Sequence, residues 1–77
     1  MEIKDFIQNF ADQFDETDAS VFTPETVFHE LEEYSSIIAL SIIAMIDDEY
    51  GVTLKGADMS AAVTIQDLFN TVVSKQA

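Results

Sequence analysis

One stretch limits what this chain can fold into. From Ile37 to Ile46 every residue is apolar except Ser41, and the run has marked ends. Tyr34-Ser35-Ser36 precedes it, and Asp47-Asp48-Glu49-Tyr50-Gly51-Val52 follows. A membrane span needs roughly 20 apolar residues, so this run is too short to be one. It reads as a central helix from about Ser36 to Tyr50. Ser35 or Ser36 can cap its start by accepting a hydrogen bond from a free N–H of the first turn. Gly51 stands where helices close, because glycine takes the left-handed conformation without steric cost. Ala39, Ile42, Ile43, Ile46 and Tyr50 repeat at helical spacing and make one stripe, assigned to the core. Ile37, Leu40, Ser41, Ala44 and Asp48 make a second stripe. A helix apolar on two sides is buried all round or shows one side to a partner. In a chain of 77 residues full burial is hard to arrange, so the second stripe is assigned to a partner.

That length corresponds to one domain spanning residues 1–77, with a small core. Hydrophobic residues make up 48% of the chain, enough to build that core. There is no cysteine, which excludes a disulfide framework and a thiolate zinc site. Met1-Glu2-Ile3-Lys4-Asp5 shows no basic start followed by an apolar run, so a cytoplasmic location is expected. The net charge is −12, from 15 acids against Lys4, Lys55 and Lys75. Direct nucleic-acid binding is not expected, because phosphate contacts need Lys and Arg. Partners should present basic patches.

In chain order, Glu2 to about Phe14 reads as a first helix. Ile3, Phe6, Ile7, Phe10 and Phe14 line one face. Residues 15–35 form a long connection, in which Thr23-Pro24 favours a turn or a first helical turn. A connection this long is usual when it is functional or packed by its own side chains. Val21, Phe22, Val27, Phe28 and Leu31 offer such packing. After the central helix, Val52-Thr53-Leu54 reads as short and extended, Lys55-Gly56 as a break, and 57–62 as one or two helical turns. Thr64-Ile65-Gln66-Asp67 is a capping box opening a last helix. Ile65, Leu68, Phe69, Val72 and Val73 form its apolar stripe, and Lys75 suits its C-terminal end. The expected fold is all-α, a small four-helix bundle with a long first loop and a short third helix.

Few residues suit chemistry. Asp47-Asp48-Glu49 with Asp58 does not fit a calcium loop, which wants glycine sixth and glutamate twelfth. No metal site is expected. His29, the sole histidine, has no nucleophile or second ligand at motif spacing and reads as a loop residue. Tyr34 and Tyr50 read as packing residues with wet hydroxyls. Without a catalytic constellation, an enzyme is not expected.

The central stretch resembles the second helix of an acyl carrier protein. Ser35-Ser36-Ile37 stands where that family has Asp-Ser-Leu, and Asp47-Asp48-Glu49-Tyr50-Gly51-Val52 is similar to its Glu-Glu-x-Phe-Gly-Val. The serine-to-glycine distance, the long first loop and the Thr64–Asp67 start of the last helix also fit. Two positions depart from the pattern. Ser35 replaces the aspartate, and Glu33 replaces a glycine two residues earlier.

The resemblance implies that Ser36, with Ser35 as runner-up, receives 4′-phosphopantetheine from coenzyme A through a magnesium-dependent phosphopantetheinyl transferase. The arm would carry acyl groups as thioesters to biosynthetic enzymes of a specialised fatty-acid, polyketide or related pathway. The core stripe of the central helix and the first-helix phenylalanines would line a space for short acyl chains. Acyl-transferring or acyl-activating enzymes with basic and apolar docking surfaces would meet Ile37, Ile38, Leu40, Ser41, Ala44, Asp47 and Asp48. Ile38 and Ser41 stand where acids are usual, which makes the middle of that surface apolar. The chain is expected to be a monomer. The alternative is an unmodified acidic helical adaptor binding a basic or apolar partner through the same helix face.

Overall fold

The computed structural model describes residues 2–76. Its helices are α1 (Ile3–Ala11), α2 (Ser36–Tyr50), α3 (Gly56–Ala61) and α4 (Ile65–Gln76). Two 3-10 turns, Ala19–Val21 and Phe28–Glu30, interrupt the long segment between α1 and α2. No strand occurs among the described residues. This is the expected all-helical bundle with a long first loop and a short third helix. α1 packs against α2 and α4, and α3 packs against α4.

The ends of α2 carry the signals read in the sequence. Ser35 is extended and its hydroxyl accepts from the Ile38 N–H at 3.3 Å. Gly51 has φ +66° and its N–H reaches the Asp47 carbonyl at 3.0 Å. A side chain at Gly51 would have open space around it. Backbone conformation alone therefore selects glycine there.

α1 ends at Ala11 rather than near Phe14. The N–H groups of Gln13 and Phe14 reach the carbonyls of Phe10 and Ala11 at 3.1 and 3.0 Å. These i→i−3 bonds tighten the chain out of the α-helix. Phe14 is still buried, stacked on Phe10 at a centroid distance of 5.6 Å. Phe10 is the hub of an aromatic cluster, within 6.5 Å of Phe6, 6.0 Å of Phe22 and 5.4 Å of Phe28. Phe22 and Phe28 belong to the long loop, so the loop is one wall of the core. Val21, expected to help pack that loop, is exposed. The packing comes from Phe22 and Phe28, with Leu31 half-buried beside them.

Backbone hydrogen bonds fix the loop as well. Pro24 lies in a turn closed by Thr26 N–H on the Thr23 carbonyl at 3.1 Å. The carbonyls of Pro24 and Thr26 then accept from Gln66 and Ile65 at 2.9 and 3.1 Å. The first turn of a helix leaves its N–H groups without intrahelical partners. Here the loop supplies two of the acceptors for α4.

The rest of α4's start is the expected capping box. Thr64 Oγ1 accepts from the Asp67 N–H at 3.1 Å, and the Asp67 carboxylate accepts from Thr64 and Val63 N–H, both at 3.1 Å. Those bonds, Thr64's first, hold the Asp67 carboxyl below its ordinary value of 3.8. A carboxyl depressed on folding stabilises the fold above its unfolded value, and that contribution is lost as pH falls through the folded value. Asp67→Asn is therefore expected to lower the denaturation midpoint at neutral pH, with the gap from wild type closing below pH 3.8. A constant gap across a urea-midpoint series down that range would contradict the assignment.

On α4, Ile65, Leu68 and Val72 are fully buried, while Val73 is exposed and not part of the core. The Tyr50 hydroxyl accepts from Asn9 Nδ2 at 2.8 Å, tying α2 to α1. Burial pushes the Tyr34 phenol up.

Candidate functional site at the start of α2

The two adjacent serines occupy different positions at the start of α2. Ser35 lies outside the helix and spends its oxygen on the Ile38 N–H. Ser36 is the first helical residue and is exposed. Among the described residues its hydroxyl has no hydrogen-bond partner. The N–H groups of Ser36 and Ile37 also have no protein acceptor there. No acid lies in the first turn of α2. A free hydroxyl therefore sits on a helix end whose partial positive charge and open N–H groups favour an attached phosphate.

The segment that precedes this serine makes two sets of contacts with distant parts of the chain. His29 Nε2 lies 2.9 and 3.0 Å from the carbonyl oxygens of Met59 and Ala62. Carbonyls only accept, so Nε2 carries the proton in this arrangement. The His29 ring stacks on Phe28 and meets Tyr34 edge-on. This contact ties the segment before α2 to the end of α3. In the second set, Glu33 reaches across to the residues after α1. Its carboxylate accepts from the Asp15 N–H at 2.7 Å, the Glu16 N–H at 3.0 Å and the Thr17 hydroxyl at 2.7 Å. These bonds, Thr17's first, keep the Glu33 carboxyl below its ordinary value against the opposing effect of burial. Nothing in residue order pairs Glu33 with Asp15, Glu16 or Thr17. Its only signal was an acid standing where the resembled family has glycine.

The second stripe of α2 is mostly exposed. Ile37 is 74% and Leu40 65% exposed. Ala44, Asp47 and Asp48 are exposed and Ser41 is half-buried. Ile38 differs, being half-buried against the core. Met45, placed on neither stripe, is buried. Gln13, Ser41, Ala44, Met45, Asp48 and Glu49 line an open groove of about 460 Å³. Of the residues expected to border an acyl space, Phe6, Phe10, Ile42 and Ile46 are fully buried and Phe14 is buried, while Ala39, Ile43 and Tyr50 are half-buried against the core cluster. Asp58, considered with the α2 acids, instead accepts from Lys55 N–H at 2.9 Å and lies 3.9 Å from Lys75 Nζ.

The fold is a small four-helix bundle with an exposed serine on the first turn of α2. The chain belongs to the family described as the phosphopantetheine attachment site, which it matches over residues 4–72. Its cofactor is 4′-phosphopantetheine, and its general role is that of a phosphopantetheine carrier. No curated protein and no solved structure gives a significant match. No described helix is long and apolar enough to cross a membrane.

Proposed function

We propose that this chain is an acyl carrier protein whose arm is attached to Ser36. The observation carrying this reading is the division of labour between two serines. Ser35 caps the helix, and Ser36 keeps a free, exposed hydroxyl on the first helical turn. The bound arm supplies a thiol for thioester formation, which a chain without cysteine lacks. Ser36 provides the attachment oxygen and no catalysis. The free N–H groups of Ser36 and Ile37 face the phosphate charge, and the helix holds the attachment point in one place. A tether of limited length raises the local concentration of its acyl group at each docked enzyme. In this reading residues 1–77 work as one carrier domain, a cytoplasmic monomer, in a specialised fatty-acid, polyketide or related pathway. The test is intact-protein mass spectrometry after incubation with coenzyme A, magnesium and a phosphopantetheinyl transferase. One added phosphopantetheine is expected. No addition, repeated with a transferase from the native host, would favour the unmodified adaptor.

The partner surface follows from the exposed side of α2. Ile37, Leu40 and Ala44 present an apolar strip, and Asp47, Asp48 and Glu49 stand exposed at its far end. The fitting partners are the transferase and acyl-transferring or acyl-activating enzymes that offer an apolar hollow beside a basic rim. Leu40→Glu is expected to leave stability within about 0.5 kcal/mol, as at most surface positions. It should lower kcat/KM for acyl transfer by a cognate enzyme roughly tenfold or more, the effect of losing a central apolar contact. Unchanged transfer kinetics would remove Leu40 from the docking face.

A further inference from the structure

Glu33 does more than sit among the acids before α2. We propose that Glu33 is a positioning residue for arm attachment, latching the segment before Ser36 onto Asp15, Glu16 and Thr17. This inference rests on Ser36 being the attachment site.

Three donors converge on one carboxylate, two from consecutive backbone N–H groups and one from a hydroxyl. Successive N–H groups turned to one side form a small anion-binding concavity. Hydrogen bonds to an ionised acceptor are among the stronger ones. Their strength matters because the surroundings oppose the contact. The net charge is −12. The loop side brings the acidic side chains of Asp15 and Glu16, and Glu32 neighbours Glu33 in its own segment. Glu16, Thr17, Glu32 and Glu33 line one groove of about 330 Å³. Like charges at such range repel. Only a full set of donors holds Glu33 there, so losing the set should free both segments.

The latch bears on the attachment site through the chain itself. Glu33 lies two residues before the cap, Ser35. It therefore sets where the chain enters α2 and where Ser36 Oγ points. His29 fixes the earlier part of the same segment to α3. The serine follows both anchors in the chain and is presented at the end of a segment held at two points. Group transfer is sensitive to such placement, with a shift of about 1 Å able to cost about 100-fold in rate.

The experiment has two readouts. The first is the rate of arm attachment, followed by mass spectrometry on wild type, Glu33→Gln and Thr17→Val, each folded by circular dichroism. A glutamine side chain puts an N–H₂ where Glu33 accepts, so it cannot take all three donors. Glu33→Gln should lower kcat/KM for the chain roughly threefold to tenfold, with KM for coenzyme A unchanged. Thr17→Val should show a smaller drop. The second readout is NMR of the wild type as pH is lowered. Amide signals of Asp15, Glu16 and Ser36 should move together, with a midpoint below the ordinary glutamate value of 4.5. The Ser36 movement should vanish in Glu33→Gln. A Ser36 signal indifferent to Glu33, or variants loaded at the wild-type rate, would overturn the latch alone. A wild type that takes up no arm would overturn the reading of Ser36, and the positioning role with it.

Discussion

Ser36→Ala is expected to keep its unmodified mass after incubation with coenzyme A, magnesium and transferase, while Ser35→Ala gains one phosphopantetheine and loses stability. The two neighbouring serines separate cleanly because their oxygens do different work. Ser35 Oγ satisfies the Ile38 N–H at the start of α2. Removing a serine cap typically costs about 0.5–2 kcal/mol, so Ser35→Ala should melt lower while remaining a substrate. Ser36 makes no such bond, and an exposed position of this kind changes stability by less than about 0.5 kcal/mol when truncated. Its alanine variant should melt with the wild type and take up no arm. Loss of loading in Ser35→Ala alone would move the attachment point by one residue. Loading that survives in both single variants would leave the helix start without a role in attachment.

Phe10→Ala is the substitution expected to damage the fold most. Phe10 is fully buried and has four other phenylalanine rings around it, from α1, from the turn after it and from the long loop. Truncating a buried phenylalanine costs roughly 3–5 kcal/mol, part transfer free energy and part the cavity left behind. Whole domains are stable by only about 5–15 kcal/mol, and short ones lie at the low end. The variant should be largely unfolded near body temperature, with far-UV circular dichroism and urea titration as the readout. Val73→Ala is the control. Val73 follows helical spacing from Phe69, yet it is 42% exposed. It should shift the urea midpoint very little. If Phe10→Ala kept the wild-type midpoint, the aromatic cluster would not hold the loop to the helices as described.

Much of the fold was legible because its signals are local. The Ser35 cap, the Gly51 close and the Thr64–Asp67 box each act within one or two helical turns, so residue order alone exposes them. The inward residues Ile42 and Ile46 were equally plain from the helical period. Val73, expected on the apolar stripe of α4, and Met45, on neither stripe of α2, depart from the helical period for a shared reason. Period fixes which residues lie on one side of a helix, but the neighbours decide how wide the covered arc is. α4 leaves Val73 open, while the packing around α2 covers Met45 as well.

The attachment site divides along the same line. Sequence pattern alone put a serine at the start of an apolar helix and placed a glycine at its end. Local hydrogen-bonding rules left the cap open between Ser35 and Ser36, because either oxygen can reach a first-turn N–H. The path of the chain into α2 settled it in favour of Ser35. The contacts holding that path join residues far apart in sequence, Glu33 to Asp15–Thr17 and His29 to Met59 and Ala62. The carbonyls of Pro24 and Thr26 reach α4 in the same way. No periodicity encodes such pairs, since each depends on where two separate segments come to rest. The sequence by itself determined α2 and α4 with the caps at their starts and the identity of the serines, whereas the end of α1 was set by the tighter bonds of Gln13 and Phe14. Tertiary packing alone decided which serine stays free, because only the folded loop brings its distant donors and acceptors within bonding distance.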